Sequence, residues 1–263
     1  MQFFDSHCHL DDERFDEDRE KIIEEIKKAG ITKFVSAGYS IEGSKKGVEL
    51  SKKYDYIYTT CAISPNDIPQ TEQELWKNID EIKCLVESNL KSKKIVAIGE
   101  IGLDYYWEKD LQRRELQRQA FIKQIQMANT FKLPIVIHTR EAVMDTLEIL
   151  KENKVNKAGV FHCCPLNREL VKEALKLGFY ISFAGPVTFK NSKNANEIIE
   201  MVPNDKMLIE TDSPYLAPEP VRGTRNDPRN VKHIAQKVAD VKKMSLEEIA
   251  RITYENAEKI FDI

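Results

Sequence analysis

Eight short apolar runs, each followed by a longer charged stretch, limit what this chain can fold into. The runs are Gln2 to Asp5, Lys33 to Ser36, Ile57 to Ala62, Ile95 to Gly99, Pro134 to His138, Gly159 to His162, Phe179 to Phe183 and Lys206 to Glu210. Rich in Val, Ile and aromatics, they read as strands of a parallel sheet. Between them, segments such as Asp16 to Ala29 and Leu111 to Phe131 carry apolar residues three or four apart, the period of a helix with one buried face. Gly30 and Gly178 each separate a helical stretch from a strand, where a left-handed cap is wanted. Ser245 and Glu248 have the spacing of a capping box and open a closing helix that ends near Phe261. Eight strands, seven helical connections and a helical tail predict an α/β fold, the (β/α)8 TIM barrel, because each right-handed crossover returns the next strand parallel to the last. The alternative, an open doubly wound sheet, usually carries a Gly-rich phosphate loop after its first strand, whereas here Asp5-Ser-His-Cys-His follows Phe4. No repeat, low-complexity tract or linker divides the 263 residues, so a single catalytic domain over residues 1–263 is expected.

Polar residues recur at the ends of these runs. Of the five histidines, His7, His9, His138 and His162 each come directly after or at the end of an apolar run; His233 falls on a predicted helix after Pro228. Glu100 ends the fourth run and Asp212 follows the eighth. In a barrel, the C-terminal strand ends share one mouth, and that is where active sites are built. His7 and His9, two apart on an extended strand, leave the same face and can clasp one ion together. Cys8 between them points the other way, towards the helices. Four imidazoles and two carboxylates make a nitrogen and oxygen donor set suited to Mg, Mn or Zn, with no thiolate required. Six ligands are too many for one open catalytic ion, whereas a pair of ions bridged by one carboxylate uses them all and leaves room for water. Cys163 and Cys164 read as loop-edge packing rather than soft ligands.

Charge narrows the partners. Forty Lys and Arg against 43 Asp and Glu give a net charge of −3, which weakly repels a polyanion, so contact with nucleic acid must be local. Two cations would make that local field positive. No stretch approaches the ~18 continuous apolar residues of a membrane helix, and the opening MQFFDSHCHL lacks the basic and apolar regions of a signal peptide. The five cysteines include no CxxC pair, which suits a reducing compartment. A cytoplasmic location is expected, with no membrane association and no obligate protein partner.

Four blocks then resemble a known family. Asp5-Ser-His-Cys-His-Leu-Asp11, Gly99-Glu-Ile-Gly-Leu-Asp-Tyr-Tyr-Trp107, Pro134-Ile-Val-Ile-His-Thr-Arg-Glu141 and Glu210-Thr-Asp-Ser-Pro-Tyr-Leu-Ala-Pro218 are similar, in the same order, to the signature blocks of the TatD-type metal-dependent deoxyribonucleases. Arg222-Gly, Asn226-Asp-Pro228 and Asn230-Val resemble that family's last active-site loop. The resemblance spans nearly the whole chain. It implies an amidohydrolase-like barrel in which His7, His9 and Asp212 hold one ion, His138 and His162 hold the other, and Glu100 bridges. One departure falls beside a ligand: after His162 the family usually shows Cys-Phe-Ser-Gly, and this chain has Cys163-Cys164-Pro165-Leu166-Asn167. That change touches the loop and substrate fit, while the ligand is kept.

The function implied is hydrolysis of phosphodiester bonds in DNA, from an end, by a water activated between two divalent ions. Asp212 is placed either to accept the water's proton or to serve as a ligand alone. Arg140 and Arg222 are candidates for holding phosphate oxygens, and Tyr105, with Tyr106 and Trp107, for stacking an unpaired base. Solvated loop residues or loop packing are the plain readings of the same positions. The rival function is hydrolysis of a small-molecule ester, amide or phosphoester on the same barrel, since a fold does not decide chemistry. Relatives of that kind commonly carry a carbamylated bridging lysine, and no lysine ends the fourth run. A metal-bound scaffold without turnover is a further alternative, disfavoured by the complete ligand set.

Overall fold

A computed structural model describes all of residues 1–263. Strands β1 (Phe3–Cys8), β2 (Ile31–Ala37), β3 (Ile57–Cys61), β4 (Ile95–Asp104), β5 (Ile135–Arg140), β6 (Gly159–Phe161), β7 (Tyr180–Phe183) and β8 (Met207–Ile209) form one eight-stranded sheet in chain order. Helices follow them in turn: α1 (Arg19–Lys28), α2 (Ile41–Lys53), α3 (Glu72–Asn89), α4 (Leu111–Phe131), α5 (Val143–Glu152), α6 (Arg168–Lys176), α7 (Ala195–Met201), then α8 (Val231–Lys242) and α9 (Leu246–Phe261) after β8. The pairs β1–β2, β3–β4, β4–β5, β5–β6 and β7–β8 are parallel. The last strand meets the first: Ser6 Oγ donates to the Ile209 carbonyl at 3.0 Å, and the Asp212 amide just beyond β8 donates to the His7 carbonyl at 2.9 Å. This is the (β/α)8 barrel expected from the alternation.

Two compact units make up the chain, residues 1–36 with 162–262 and residues 37–161. In the first, β1, β2, β7 and β8 are packed under α1 and α6–α9; Phe4, Phe34, Phe183, Ile234 and Ile249 are buried there. Gly30 and Gly178 close their helices at φ of 90° and 86°, the left-handed conformation that costs glycine least. Ser245 and Glu248 form the expected reciprocal capping box, and α9 ends at Phe261. Helix α1 starts at Arg19 rather than Asp16, because residues 13–15 form a 3-10 turn and the Arg19 guanidinium folds back on the Leu10 and Asp12 carbonyls.

In the second unit, α2–α5 pack on β3–β6, and β4 is the strand that departs most from expectation. It continues five residues past Gly99, because residues 100–104 are buried and Ile101 to Asp104 pair with Ile137 to Arg140 of β5. Glu100 therefore lies inside a strand, and its carboxylate, like that of Asp104, reaches His138 of β5. Helix α4 buries two glutamines seven residues apart. Gln124 receives the Ile63 amide at 2.8 Å and donates to the Ile63 carbonyl at 2.9 Å, while Gln117 receives the Asp104 amide at 3.0 Å and donates to the Pro65 carbonyl at 3.0 Å. These side chains stand in for a backbone partner at the ends of β3 and β4.

Candidate metal centre

In the first unit the imidazoles gather. The Nε2 atoms of His7 and His9 lie 3.2 Å apart, as their shared strand face requires. Cys8 faces the opposite layer, fully buried, with its thiol on the Val35 carbonyl at 3.4 Å; burial pushes that thiol's pKa well up. His162, directly after β6, stacks on His7 with ring centroids 4.0 Å apart. Asp212 places Oδ1 3.4 Å from His9 Nε2 and 3.8 Å from His7 Nε2. Its φ of 55° is left-handed, a region Asp enters more readily than most residues, and the amide bond to His7 fixes that turn against β1. Burial alone would push the Asp212 carboxyl up, but the bond to His9 and the charges of His162, His9 and His7 outweigh it and hold it below the usual carboxylate value. Asp212 is thus an ionised acceptor at neutral pH. His7, His162 and Asp212 offer donor atoms within 4.8 Å of one another, close enough to share one ion.

Below His162 sits a carboxylate the sequence reading did not single out. Glu210 is fully buried, lies 3.4 Å from His162 Nδ1 through Oε1, and accepts the Cys163 amide at 2.5 Å. The atypical loop begins at that amide. Cys163 has a φ of 36°, the Cys164 amide donates to the Ser182 carbonyl at 3.1 Å, and Asn167 caps α6 by accepting from the Leu170 amide at 2.9 Å. Asp5, also buried, accepts from the Thr211 amide at 2.9 Å and hydroxyl at 2.5 Å; burial nevertheless holds its pKa well above the ordinary value.

In the second unit one imidazole lies between two carboxylates. His138 Nδ1 is 2.9 Å from Glu100 Oε1, and Nε2 is 3.0 Å from Asp104 Oδ2. Burial pushes Asp104 up, and the hydrogen bond and charge of His138 overcome it, so this carboxyl titrates below its ordinary value. The other oxygen of Asp104 accepts the Tyr106 and Trp107 amides at 3.0 and 3.1 Å. Asp104, like Glu210, went unnoticed in the sequence although a signal was present: an acid inside or at the edge of a buried apolar run is costly unless something holds it.

The expected substrate contacts lie as follows. Arg140 ends β5, exposed, with its guanidinium 3.8 Å over the Tyr106 ring. Tyr105 is buried, its hydroxyl donates to Asp145 at 2.7 Å, and burial and Asp145 push it up to about 12; the aromatics presented to solvent are Tyr106 and Trp107. Arg222 is exposed and stacks 4.0 Å over the Phe189 ring. Buried Asn226 donates to the Thr211 and Tyr215 carbonyls at 2.9 and 2.7 Å, tying the loop around Asp212. His233 lies half-buried in the first turn of α8.

The donor set fits a borderline or hard divalent ion. Imidazole nitrogens meet an ionised carboxylate, and each of His138 and His162 has a second ring nitrogen turned to a buried acid, the arrangement by which metal-ligating histidines are oriented. A family model described as TatD related DNase matches residues 4–262. The metal-dependent hydrolase YabD of Bacillus subtilis, described as uncharacterised, is 42% identical over 99% of both chains. YcfH of Escherichia coli, with the same description, is 36% identical over all of this chain and 97% of its own. In structure, the TatD homologue YJJV of Escherichia coli superposes with a TM-score of 0.91 over 99% of this chain and 98% of its own at 24% identity, a likeness of fold. Fold, donor set and relatives together define a metal-dependent hydrolase on a (β/α)8 barrel. The chain belongs to the TatD family.

Proposed function

We propose that this protein is a divalent-metal-dependent deoxyribonuclease that hydrolyses phosphodiester bonds from an end of a DNA strand, working in the cytoplasm as one catalytic domain. The observation that carries this reading is the buried cluster of His7, His9 and His162 around an Asp212 held in its ionised form. In the proposed centre His7, His9 and Asp212 would hold one ion, His138 and His162 would hold a second, and Glu100 would serve both; Mg, Mn and Zn all suit these donors. When bound, the ions supply Lewis acidity, making a water nucleophilic at neutral pH and neutralising charge on the phosphoryl oxygens. Asp212 accepts the water's proton, a role its depressed pKa permits while it is anionic. Arg140 and Arg222 hold phosphate oxygens through charge-assisted hydrogen bonds, and Tyr105 braces the substrate-facing loop through Asp145. The small-molecule reading gains nothing specific from this site.

The test is nucleotide release from end-labelled single-stranded and duplex DNA by chelator-stripped protein with Mg, Mn or Zn restored in turn. Metal-dependent release that disappears in Asp212→Ala is the expected result. No release with any ion, although ions bind, overturns the nuclease reading and moves the substrate to a small ester, amide or phosphoester.

A further inference from the structure

Asp12, in the loop after β1, is a buried carboxylate that the proposed metal centre does not use. Its Oδ1 accepts the Arg14 amide at 2.9 Å and Arg14 Nε at 3.0 Å, and its Oδ2 accepts Arg14 Nη2 at 3.0 Å and the Tyr215 hydroxyl at 2.9 Å. Burial pushes this carboxyl up, but the bonds from Arg14 and Tyr215 outweigh it and bring it down to about 2, so Asp12 is a fixed anion at neutral pH. Tyr215, in the loop after β8, is thereby caught on three sides. Its hydroxyl is on Asp12, the Arg14 guanidinium lies 4.1 Å over its ring, and the ring meets that of His9 edge to face, with centroids 5.8 Å apart and planes at 79°. The backbone ties the same two loops. The His9 amide donates to the Ser213 carbonyl at 2.7 Å, the Tyr215 amide to the Asp212 carbonyl at 2.9 Å, and the Asp12 amide to the His9 carbonyl at 3.2 Å.

Tyr215 is 41% exposed, and fixing such a side chain together with an arginine costs rotamer freedom. A tyrosine that only covered the loop would need no clamp on its hydroxyl. The contact that gives the clamp a purpose is His9. An imidazole turns about χ2 within a broad well, and as a ligand it depends on where Nε2 points. A ring held edge to face against it hinders that turn. His138 and His162 each have an acid facing a ring nitrogen, whereas His9 has the Tyr215 ring against its own. We infer that Tyr215, clamped by Asp12 and Arg14, is a positioning residue for His9. It keeps Nε2 beside Asp212 Oδ1, 3.4 Å away, and so raises the affinity for the ion that His7, His9 and Asp212 would hold. This inference rests on the proposed metal centre and on no particular substrate.

The test is titration of chelator-stripped wild type, Tyr215→Leu and Tyr215→Phe with cobalt(II), read by calorimetry and by the visible absorption of the bound ion, which reports its coordination geometry. Tyr215→Leu is expected to lower cobalt affinity at one site at least tenfold, the lower end of the range for losing a partner that orients a ligating histidine, and to alter the spectrum. Tyr215→Phe keeps the ring beside His9 and is expected to recover most of both. Melting separates positioning from packing: the ion-free Tm of Tyr215→Leu stays near that of the wild type, and only the rise on adding cobalt diminishes. A wild-type affinity and spectrum in Tyr215→Leu, with or without a lower ion-free Tm, overturns the inference and leaves the metal centre intact. If Tyr215→Leu does not fold, Arg14→Gln opens the clamp from the surface. Weaker cobalt binding with an altered spectrum in that variant supports the positioning role, and unchanged values overturn it. Wild-type protein that binds no cobalt removes the metal-centre reading and this inference with it. Cobalt bound without cleavage of any DNA, with the Tyr215→Leu loss present, supports the inference and removes the nuclease reading alone.

Discussion

Asp104 and Glu210 are the residues through which the two candidate ligand sets are oriented. Each buried carboxylate faces one ring nitrogen of a histidine, Asp104 at 3.0 Å from His138 Nε2 and Glu210 at 3.4 Å from His162 Nδ1, a placement that orients the imidazole. Loss of such a partner typically costs 10–100-fold in metal affinity. Asp104→Ala and Glu210→Ala are therefore expected to lower affinity for the restored ion by about that factor in calorimetric titration. Asp104→Asn, which keeps an acceptor oxygen for the Tyr106 and Trp107 amides, is expected to recover part of the loss. Unchanged affinity in both alanine variants, with normal circular dichroism, would show that the acids only fill space. The chemistry of this centre was legible where a residue type is rare and repeated: four histidines at run ends stand out. Glu210 and Asp104 were hidden because acids are common in this chain, and only burial distinguishes a held carboxylate from a solvated one.

At the scale of elements, alternation revealed every strand because a β run needs little more than a few buried residues, but strand ends depend on what the neighbour offers. β4 outran its expected end because β5 continued to pair with it as far as Arg140. The apolar spacing of Leu111 to Phe131 marks helix α4, yet its buried side also carries Gln117 and Gln124, and no periodicity shows that a glutamine faces inward. Their job is local: each satisfies backbone groups at the end of a strand that the sheet leaves unpaired. Gln124→Leu preserves size and helix propensity but orphans the buried amide and carbonyl of Ile63. It is expected to cost on the order of 2 kcal/mol in urea unfolding, within the range for buried unsatisfied groups. A change below about 0.5 kcal/mol would mean that water or a shifted backbone replaces the side chain. Gln119→Leu on the same helix, where the side chain bonds only exposed Glu115, serves as the comparison and is expected to be nearly neutral.

For the molecule as a whole, the candidate ligands are buried ionisable groups, and each is costly to bury without a partner. Asp5, Glu100, Asp104, Glu210 and Asp212 are buried acids, and His7, His9 and His162 are buried imidazoles packed against one another. Burying that many ionisable groups is tolerable only when each has a partner, and a divalent cation is the partner that satisfies several at once. Anything that binds the folded state alone stabilises it by mass action, about 2.7 kcal/mol at a hundred times Kd. For a chain of this length about 1 kcal/mol moves Tm by roughly 2–4 °C, so saturating Mn or Zn is expected to raise Tm of stripped protein by about 5–10 °C. The rise should shrink sharply in His7→Ala and Asp212→Ala, whose apoproteins lose a buried polar group and need not be less stable than the wild-type apoprotein. Trp107→Ala, on the exposed surface, should keep the full rise. Scanning calorimetry of the four proteins with and without ion separates these cases, and an equal rise in all of them would place the bound ions elsewhere on the chain.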